Sequence, residues 1–276
     1  SQPDVTGALL DTVKTGGSLP EEGQLQSARE TISPQTGHSS ESSEVTSTTY
    51  PYSAMGKVFF TKDEGSWFSC SAAVIASENR SVVWTAGHCV AEKGNEDWHD
   101  NWIFIPGYDE GSEPYGRWAA RTKATFVGWY SGGNRNYDLA AVVVERKDDQ
   151  PIARRTGSLG WMFNGRRDQD YEEYGYPAAG TNYTGQNLWT CSKPYDGADG
   201  VGSNPGPRTS TNDCVITAGA SGGPWLVNSA ENCPNCYINS VNSWWWWRGS
   251  QDVAVQWAGP YHGSAAYSLL QFTENL

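Results

Sequence analysis

Between Tyr50 and residue 263 the chain never sustains a 3.6-residue apolar period; short β-branched and aromatic runs are cut every few residues by Gly, Asn, Asp or Pro. A helix needs an apolar stripe to bury, so this texture commits the chain to strands. Lys57 to Thr61, Ser69 to Ala76, Ser81 to Thr85, Trp102 to Pro106, Trp118 to Trp129 and Leu139 to Glu145 form a first set of expected strands. Beyond the turn-rich Asp148 to Gly157, a second set runs Asp170 to Tyr176, Gln186 to Cys191, Val215 to Thr217, Trp225 to Asn228 and Tyr237 to Trp244. The expectation is an all-β protein of two six-stranded-type antiparallel barrels, residues 50–150 and 151–276. Only the tail, Ser264 to Phe272, carries a helical stripe, through Ala265, Ala266, Leu269 and Leu270; a short helix after His88 is the other place for one.

Residues 1–49 read differently. They contain no Phe, Tyr, Trp or Cys and set seven acidic residues against Lys14 and Arg29. Such a segment cannot bury enough apolar surface to fold alone. It is either a propeptide, as in a zymogen, or an arm draped over the body. The formal charge of −12, with no basic cluster, argues against nucleic acid or an anionic membrane as a partner. No apolar run approaches the ~20 residues of a membrane helix, and Ser1 opens no charged-then-apolar leader, so any signal is expected to have been removed.

Six cysteines with 18% charged residues, against a typical ~25%, suit a secreted, extracellular chain. Cys70 and Cys89 flank a strand-turn-strand pattern, and Cys191 and Cys214 bracket a Gly/Pro/Asp-rich loop, so each pair is expected to be a disulfide. Cys233 and Cys236 are a tight local disulfide or half of a zinc site; zinc wants a second ligand pair and none is spaced for it, which favours the disulfide.

The stretch Gly219-Ala220-Ser221-Gly222-Gly223-Pro224 isolates one hydroxyl among glycines, where a substrate carbonyl can approach and neighbouring amides can turn toward it. Such a serine needs a base, and the base an orienting acid. Of four histidines, His38, His99 and His262 suit surface or packing roles, whereas His88 stands where an apolar strand ends, in Thr85-Ala86-Gly87-His88-Cys89. Asp138 opens the apolar run Leu139-Ala140-Ala141-Val142, where burying a carboxylate is costly without a partner. A G-x-S-x-G elbow also matches, but it needs a helix directly after the serine, and Gly222-Gly223-Pro224 is a poor helix start.

These three motifs, in the order His, Asp, Ser, resemble the chymotrypsin-like serine peptidases from about Tyr50 onward, nearest the secreted bacterial and fungal group that includes the glutamyl endopeptidases. The resemblance implies a serine endopeptidase acting through an acyl-enzyme: Ser221 as nucleophile, His88 as base, Asp138 as its orienting acid, and the N–H groups of Gly219 and Ser221 as the oxyanion hole. It implies protein or peptide substrates, a monomer, and no metal or cofactor, with the N-terminal extension as a further partner. The rival reading is a catalytically silent homologue that binds peptides through the same cleft.

The resemblance also marks departures. Where pancreatic members place an aspartate that pairs with a freshly cut N-terminus, this chain has Ala220, so control by the extension would be steric. Where trypsin places an aspartate for Arg or Lys, it has Val215. Glutamyl-specific members place a threonine where Ile216 stands and a histidine on the strand that here reads Ser240 to Trp244, leaving His262 to approach from another wall. With Thr217, Asn242, Ser243 and Trp244, these positions are the expected substrate pocket, and Val215 and Ile216 point to a neutral or apolar P1 side chain. Trp244 to Trp247 cannot all face one core if extended. They form an aromatic rim at the cleft or pack on their own barrel, with the second favoured.

Overall fold

A computed structural model describes residues 6–10, 42–62, 66–167, 169–179, 183–198, 207–210, 216–228, 230–233, 235–247 and 254–276, with backbone alone for 6–10, 193–198, 207–210, 232, 245–247 and 254–256. The strands are β1 (Thr6–Leu10), β2 (Ser42–Val45), β3 (Met55–Thr61), β4 (Trp67–Val74), β5 (Val82–Thr85), β6 (Asp100–Pro106), β7 (Trp118–Phe126) and β8 (Ala140–Val144), followed by β9 (Gly160–Trp161), β10 (Asp170–Gly175), β11 (Leu188–Ala198), β12 (Pro207–Ser210), β13 (Pro224–Val227), β14 (Tyr237–Val241), β15 (Trp244–Trp247) and β16 (Ala254–Ala258). Two single-turn helices, α1 (Val127–Tyr130) and α2 (Ala153–Thr156), and a longer one, α3 (Ser264–Glu274), complete them. Among the described residues no helix is long and apolar enough to cross a membrane.

The first lobe closes on itself. β3 pairs with β4 and β6, β4 with β5, β5 with β8, β8 with β7 and β7 with β6, giving a ring of six antiparallel strands. Closure removes the sheet edges that would otherwise invite pairing with another chain. Every residue of Ala140–Val144 is buried, because one face of β8 lines the barrel and the helix α3 packs against the strand from outside. α3 turns Ala266, Leu269 and Leu270 of the expected stripe inward, with Ala265 half-buried, and Thr273 extends that face to i, i+3, i+4, i+7. The second lobe is a sheet in the order β15-β16-β12-β11-β10-β13-β14-β9. The architecture is thus all-β and two-barrelled, with the C-terminal helix of the second half closing over the first.

Several elements depart from the sequence expectation. The strand expected over Val215 to Thr217 is not formed at Ile216 and Thr217, which lead into the turn at 218–222, and Val215 lies outside the described residues. The run Tyr237 to Trp244 breaks at Asn242 and Ser243, whose backbones bond across to Gly222, Gly223 and Ala258 instead of continuing one ladder. Trp118 to Trp129 stops as a strand at Phe126 and coils into α1. Before residue 50, β2 pairs antiparallel with β11, and Val45 packs on the core. β1 runs parallel to β7 over Thr122 to Phe126, whose far side β6 leaves open because it bonds only Trp118 and Ala119.

Cys70 and Cys89 are joined, with Cα atoms 6.1 Å apart, and Cys233 bonds Cys236, which removes the zinc alternative because neither sulfur is a free thiolate. Cys191 is disulfide-bonded, and its expected partner Cys214 lies outside the described residues. Trp244 is buried, in keeping with the packed reading of the tryptophan run; the side chains of 245–247 lie outside the described residues.

Two histidines belong to the core. His262 is fully buried between Trp84 and Phe163, and its Nε2 accepts a hydrogen bond from the Trp84 indole at 3.3 Å. Burial pushes it down to about 3, and His99, stacked on Phe60, down to about 4. An unfolded histidine titrates near ~6.5, so below that pH the unfolded chain takes up protons that the native state refuses, and stability falls as the pH drops toward 4. The slope is at most about 1.4 kcal/mol per pH unit for each histidine. Urea midpoints measured from pH 7 to 4.5 should decline for the native protein, and the decline should be shallower in His262→Gln.

Candidate active site

β5 ends at Thr85, and the chain turns through Gly87–Cys89 in a short 3₁₀ turn that carries His88 out of the sheet. A Cβ on Gly87 would lie 2.9 Å from the Trp129 ring and 3.0 Å from Asp138 Oδ1, so a glycine is required directly before the histidine. Asp138 is 2% exposed. Its Oδ1 accepts the His88 backbone N–H at 2.7 Å, and its Oδ2 faces His88 Nδ1 at 2.9 Å. The Ser243 hydroxyl donates a further short bond to Oδ2. Three donors offset the desolvation of this buried charge, the condition set by its place at the mouth of an apolar strand. With Nδ1–H given to Asp138, the free His88 nitrogen is Nε2, and the side chain is 30% exposed.

His99 approaches from behind, donating from Nε2 to the His88 carbonyl at 3.1 Å, while the buried Lys123 ammonium donates to the His99 carbonyl. Neither residue was legible as part of this site, because each acts only through backbone groups. The His88 ring also lies within 4.8 Å of both sulfurs of the Cys70–Cys89 bridge. Being bonded to each other, those sulfurs offer no metal ligand.

The Ser221 turn is held against the first lobe by Ser71, which follows Cys70 on β4. The Ser71 N–H donates to the Ser221 carbonyl at 2.7 Å, its hydroxyl donates to the Gly219 carbonyl at 2.9 Å, and its own carbonyl accepts from the Thr85 hydroxyl at 2.8 Å. One serine of the first lobe thus fixes both ends of the 219–221 turn of the second. Gly222, at φ +79°, lies so close that a Cβ would overlap the Thr85 hydroxyl and sit 2.5 Å from the Ser71 carbonyl oxygen. The glycine after the serine is a fitting requirement between lobes as well as a conformational one.

Two peptide planes at the turn are locked by their carbonyls. The Ala218 carbonyl accepts from Ala178 N–H at 2.7 Å, and the Ala220 carbonyl accepts from Asn242 Nδ2 at 2.9 Å and Gly223 N–H at 3.0 Å. A trans peptide points its N–H opposite to its C=O, so the Gly219 and Ser221 N–H groups face away from those anchors. Neither N–H has an acceptor among the described residues.

The expected pocket residues fall into distinct places. Ile216 is buried among Met162, Tyr171, Trp225 and Trp257, and the Trp257 indole donates to its carbonyl at 3.0 Å. The Thr217 hydroxyl exchanges bonds with the Ala179 backbone at 2.8 and 3.1 Å. Ser243 serves Asp138. Asn242 is fully buried and spends its amide internally: Nδ2 on the Tyr174 and Ala220 carbonyls, Oδ1 on the Trp225 indole N–H at 2.6 Å. Arg135 lies over the Trp244 ring at 5.8 Å.

This geometry has relatives. The chain shares 34% identity with a thermostable serine protease from an extremophilic microorganism, covering 81% of this chain and 98% of that one, with a TM-score of 0.73. It shares 35% with the protease Anisep from Arthrobacter nicotinovorans, covering 86% and 100%, with a TM-score of 0.74. The chain belongs to the chymotrypsin-like serine proteases. A crystallised Glu endopeptidase, 19% identical with a TM-score of 0.67, shares the fold. A curated relative, the glutamyl endopeptidase of Bacillus licheniformis, is 32% identical over 122 residues, a match that spans 43% of this chain and about a third (34%) of that protein. No family model matches the chain.

Within this chymotrypsin-like frame Asn242 is scaffolding for the serine turn. Removing its amide strands the Trp225 indole N–H, at about 1–3 kcal/mol for an unsatisfied group, and takes one donor from each of the Tyr174 and Ala220 carbonyls, the latter keeping Gly223 N–H. Asn242→Ala should therefore lower the thermal midpoint by several degrees in calorimetry, and Asn242→Asp, which sets a carboxylate against two carbonyls, should lower it further.

Proposed function

We propose that the protein is a secreted serine endopeptidase in which Ser221, His88 and Asp138 form the catalytic triad. The observation that carries this reading is the buried Asp138 carboxylate, which holds His88 through both its ring and its backbone while Ser71 fixes the Ser221 turn beside it. Ser221 Oγ attacks the scissile carbonyl carbon as its proton passes to His88 Nε2. The collapsing tetrahedral adduct expels the amine, which takes that proton, and water repeats the sequence on the acyl-enzyme. The N–H groups of Gly219 and Ser221 receive the developing oxyanion, each worth about 10²–10³ in rate.

The P1 preference we infer is neutral or apolar, supported by the apolar surroundings of Ile216 and by the withdrawal of His262 into the core. Glutamyl specificity is the second reading, favoured by the Bacillus relative and by the guanidinium of Arg135 against Trp244. A P1-varied peptide library decides between them: cleavage after apolar residues supports the first, and cleavage chiefly after Glu replaces it with the second.

Ser221→Ala should lower turnover by at least ~10³ and abolish labelling by a fluorophosphonate, and Asp138→Asn should lower kcat by about 10⁴. A purified protein that neither labels nor cleaves casein would establish the silent homologue instead. Residues 1–41 are the segment we propose as propeptide or arm. Because β2 is built into the second sheet, processing should cut before Ser42, which N-terminal sequencing of active protein would read directly.

A further inference from the structure

Lys57 lies on β3 of the first lobe and is 4% exposed. Among the described residues it makes no salt bridge. Its ammonium sits over the rings of Phe59 and Tyr108, at 4.8 and 4.9 Å from their centroids, and donates to the carbonyl of Gly185 in the second lobe at 2.6 Å. Burying an ammonium without a carboxylate is costly, and two ring faces return only part of that cost. An apolar side chain at this position would avoid the cost altogether, so the charge calls for an explanation in what it holds.

The Gly185 carbonyl belongs to the segment that backs the serine turn. Gly185 N–H donates to the Pro177 carbonyl at 2.7 Å, and the next residue, Ala178, donates its N–H to the Ala218 carbonyl at 2.7 Å. That bond sets the plane of the Ala218–Gly219 peptide and hence the direction of the Gly219 N–H. Burial acts on the ammonium alone, pushing it down to about 8, which agrees with a cation held by dipoles and ring faces. Ala220 rules out an ion pair at the residue before the serine, so the charge that bears on this turn comes from the other lobe.

We propose that Lys57 is a positioning residue for the oxyanion site: its ammonium, by fixing the Gly185 carbonyl, holds the Pro177–Ala178 backbone that orients the Gly219 N–H. The inference rests on the serine-peptidase reading above. The residue touches no substrate, and its effect is confined to the state in which negative charge develops on the substrate oxygen.

The test is steady-state kinetics of Lys57→Met on a peptide anilide, together with the affinity of a peptide boronate, whose tetrahedral adduct occupies the oxyanion site. The expected result is a kcat lowered roughly tenfold, part of the 10²–10³ carried by one oxyanion donor, with KM within about threefold of the native value and boronate affinity reduced in step with kcat. Gly185→Ala supplies an independent route should Lys57→Met not fold. Its Cβ would lie 2.9 Å from the Ala178 methyl and 3.2 Å from Lys57 Nζ at a φ of +72°, and the same loss in kcat and boronate affinity is expected. A folded variant with native kcat and boronate affinity, whatever its thermal midpoint, overturns the inference. Native protein that shows no turnover and no fluorophosphonate labelling overturns the serine-peptidase reading itself.

Discussion

The structure turns on a single buried charge. Asp138 would be an expensive residue at the mouth of an apolar strand, yet three donors converge on it from separate parts of the chain: the backbone and ring of His88 after β5, and the hydroxyl of Ser243 at the break between β14 and β15. Because Ser243 comes from the second half, the carboxylate is fully satisfied only when the two lobes are docked. Folding of the site and docking of the lobes are therefore one event, and removing any donor leaves a buried charge short of partners, where losses are steep.

Other inter-lobe bonds aim at the backbone of the second lobe. Ser71 reaches across to Gly219 and Ser221, and Lys57 to Gly185. Trp84 and His262 join the lobes with two side chains in a dry contact. Backbone targets fix the turns of the second lobe regardless of their side chains, so the residues around Ser221 are free to be small.

What the sequence disclosed follows from how local each signal is. Core strands such as Val82–Thr85 and Ala140–Val144 are legible because their residues carry the apolar run themselves, and α3 because its stripe lies within one helix. β9 and β12 have little apolar pattern of their own, being two and four residues long, and β2, Ser-Ser-Glu-Val, reads as part of an acidic tail. These strands exist because a neighbouring edge accepts them. Within the site, His88, Asp138 and Ser221 stood out because each sits in a local context that needs explaining. Ser71, His99 and Lys57 did not, since a serine after a cysteine, a histidine in a polar loop and a lysine in a strand are ordinary until the fold gives them a backbone group to hold. Asn242 shows the converse: its place in the chain suggested the pocket, and packing gave its amide to Tyr174, Ala220 and Trp225.

Ala220 bears on how such a site can be controlled. Where an aspartate stands before the serine, a newly cut N-terminus can order the turn, and the turn stays unmade until the cut. Here both carbonyls that orient the Gly219 and Ser221 amides are held by Ala178, Asn242 and Gly223, which lie in the body of the second lobe and need no new terminus. The turn is preassembled by neutral bonds, with the Lys57 ammonium arriving through the docking of the first lobe. Control by the segment proposed above as propeptide or arm would then act on access to the cleft or on the docking itself. β1 adds to the first sheet and β2 to the second, so the N-terminal region contributes a strand to each of the two bodies whose docking completes the site.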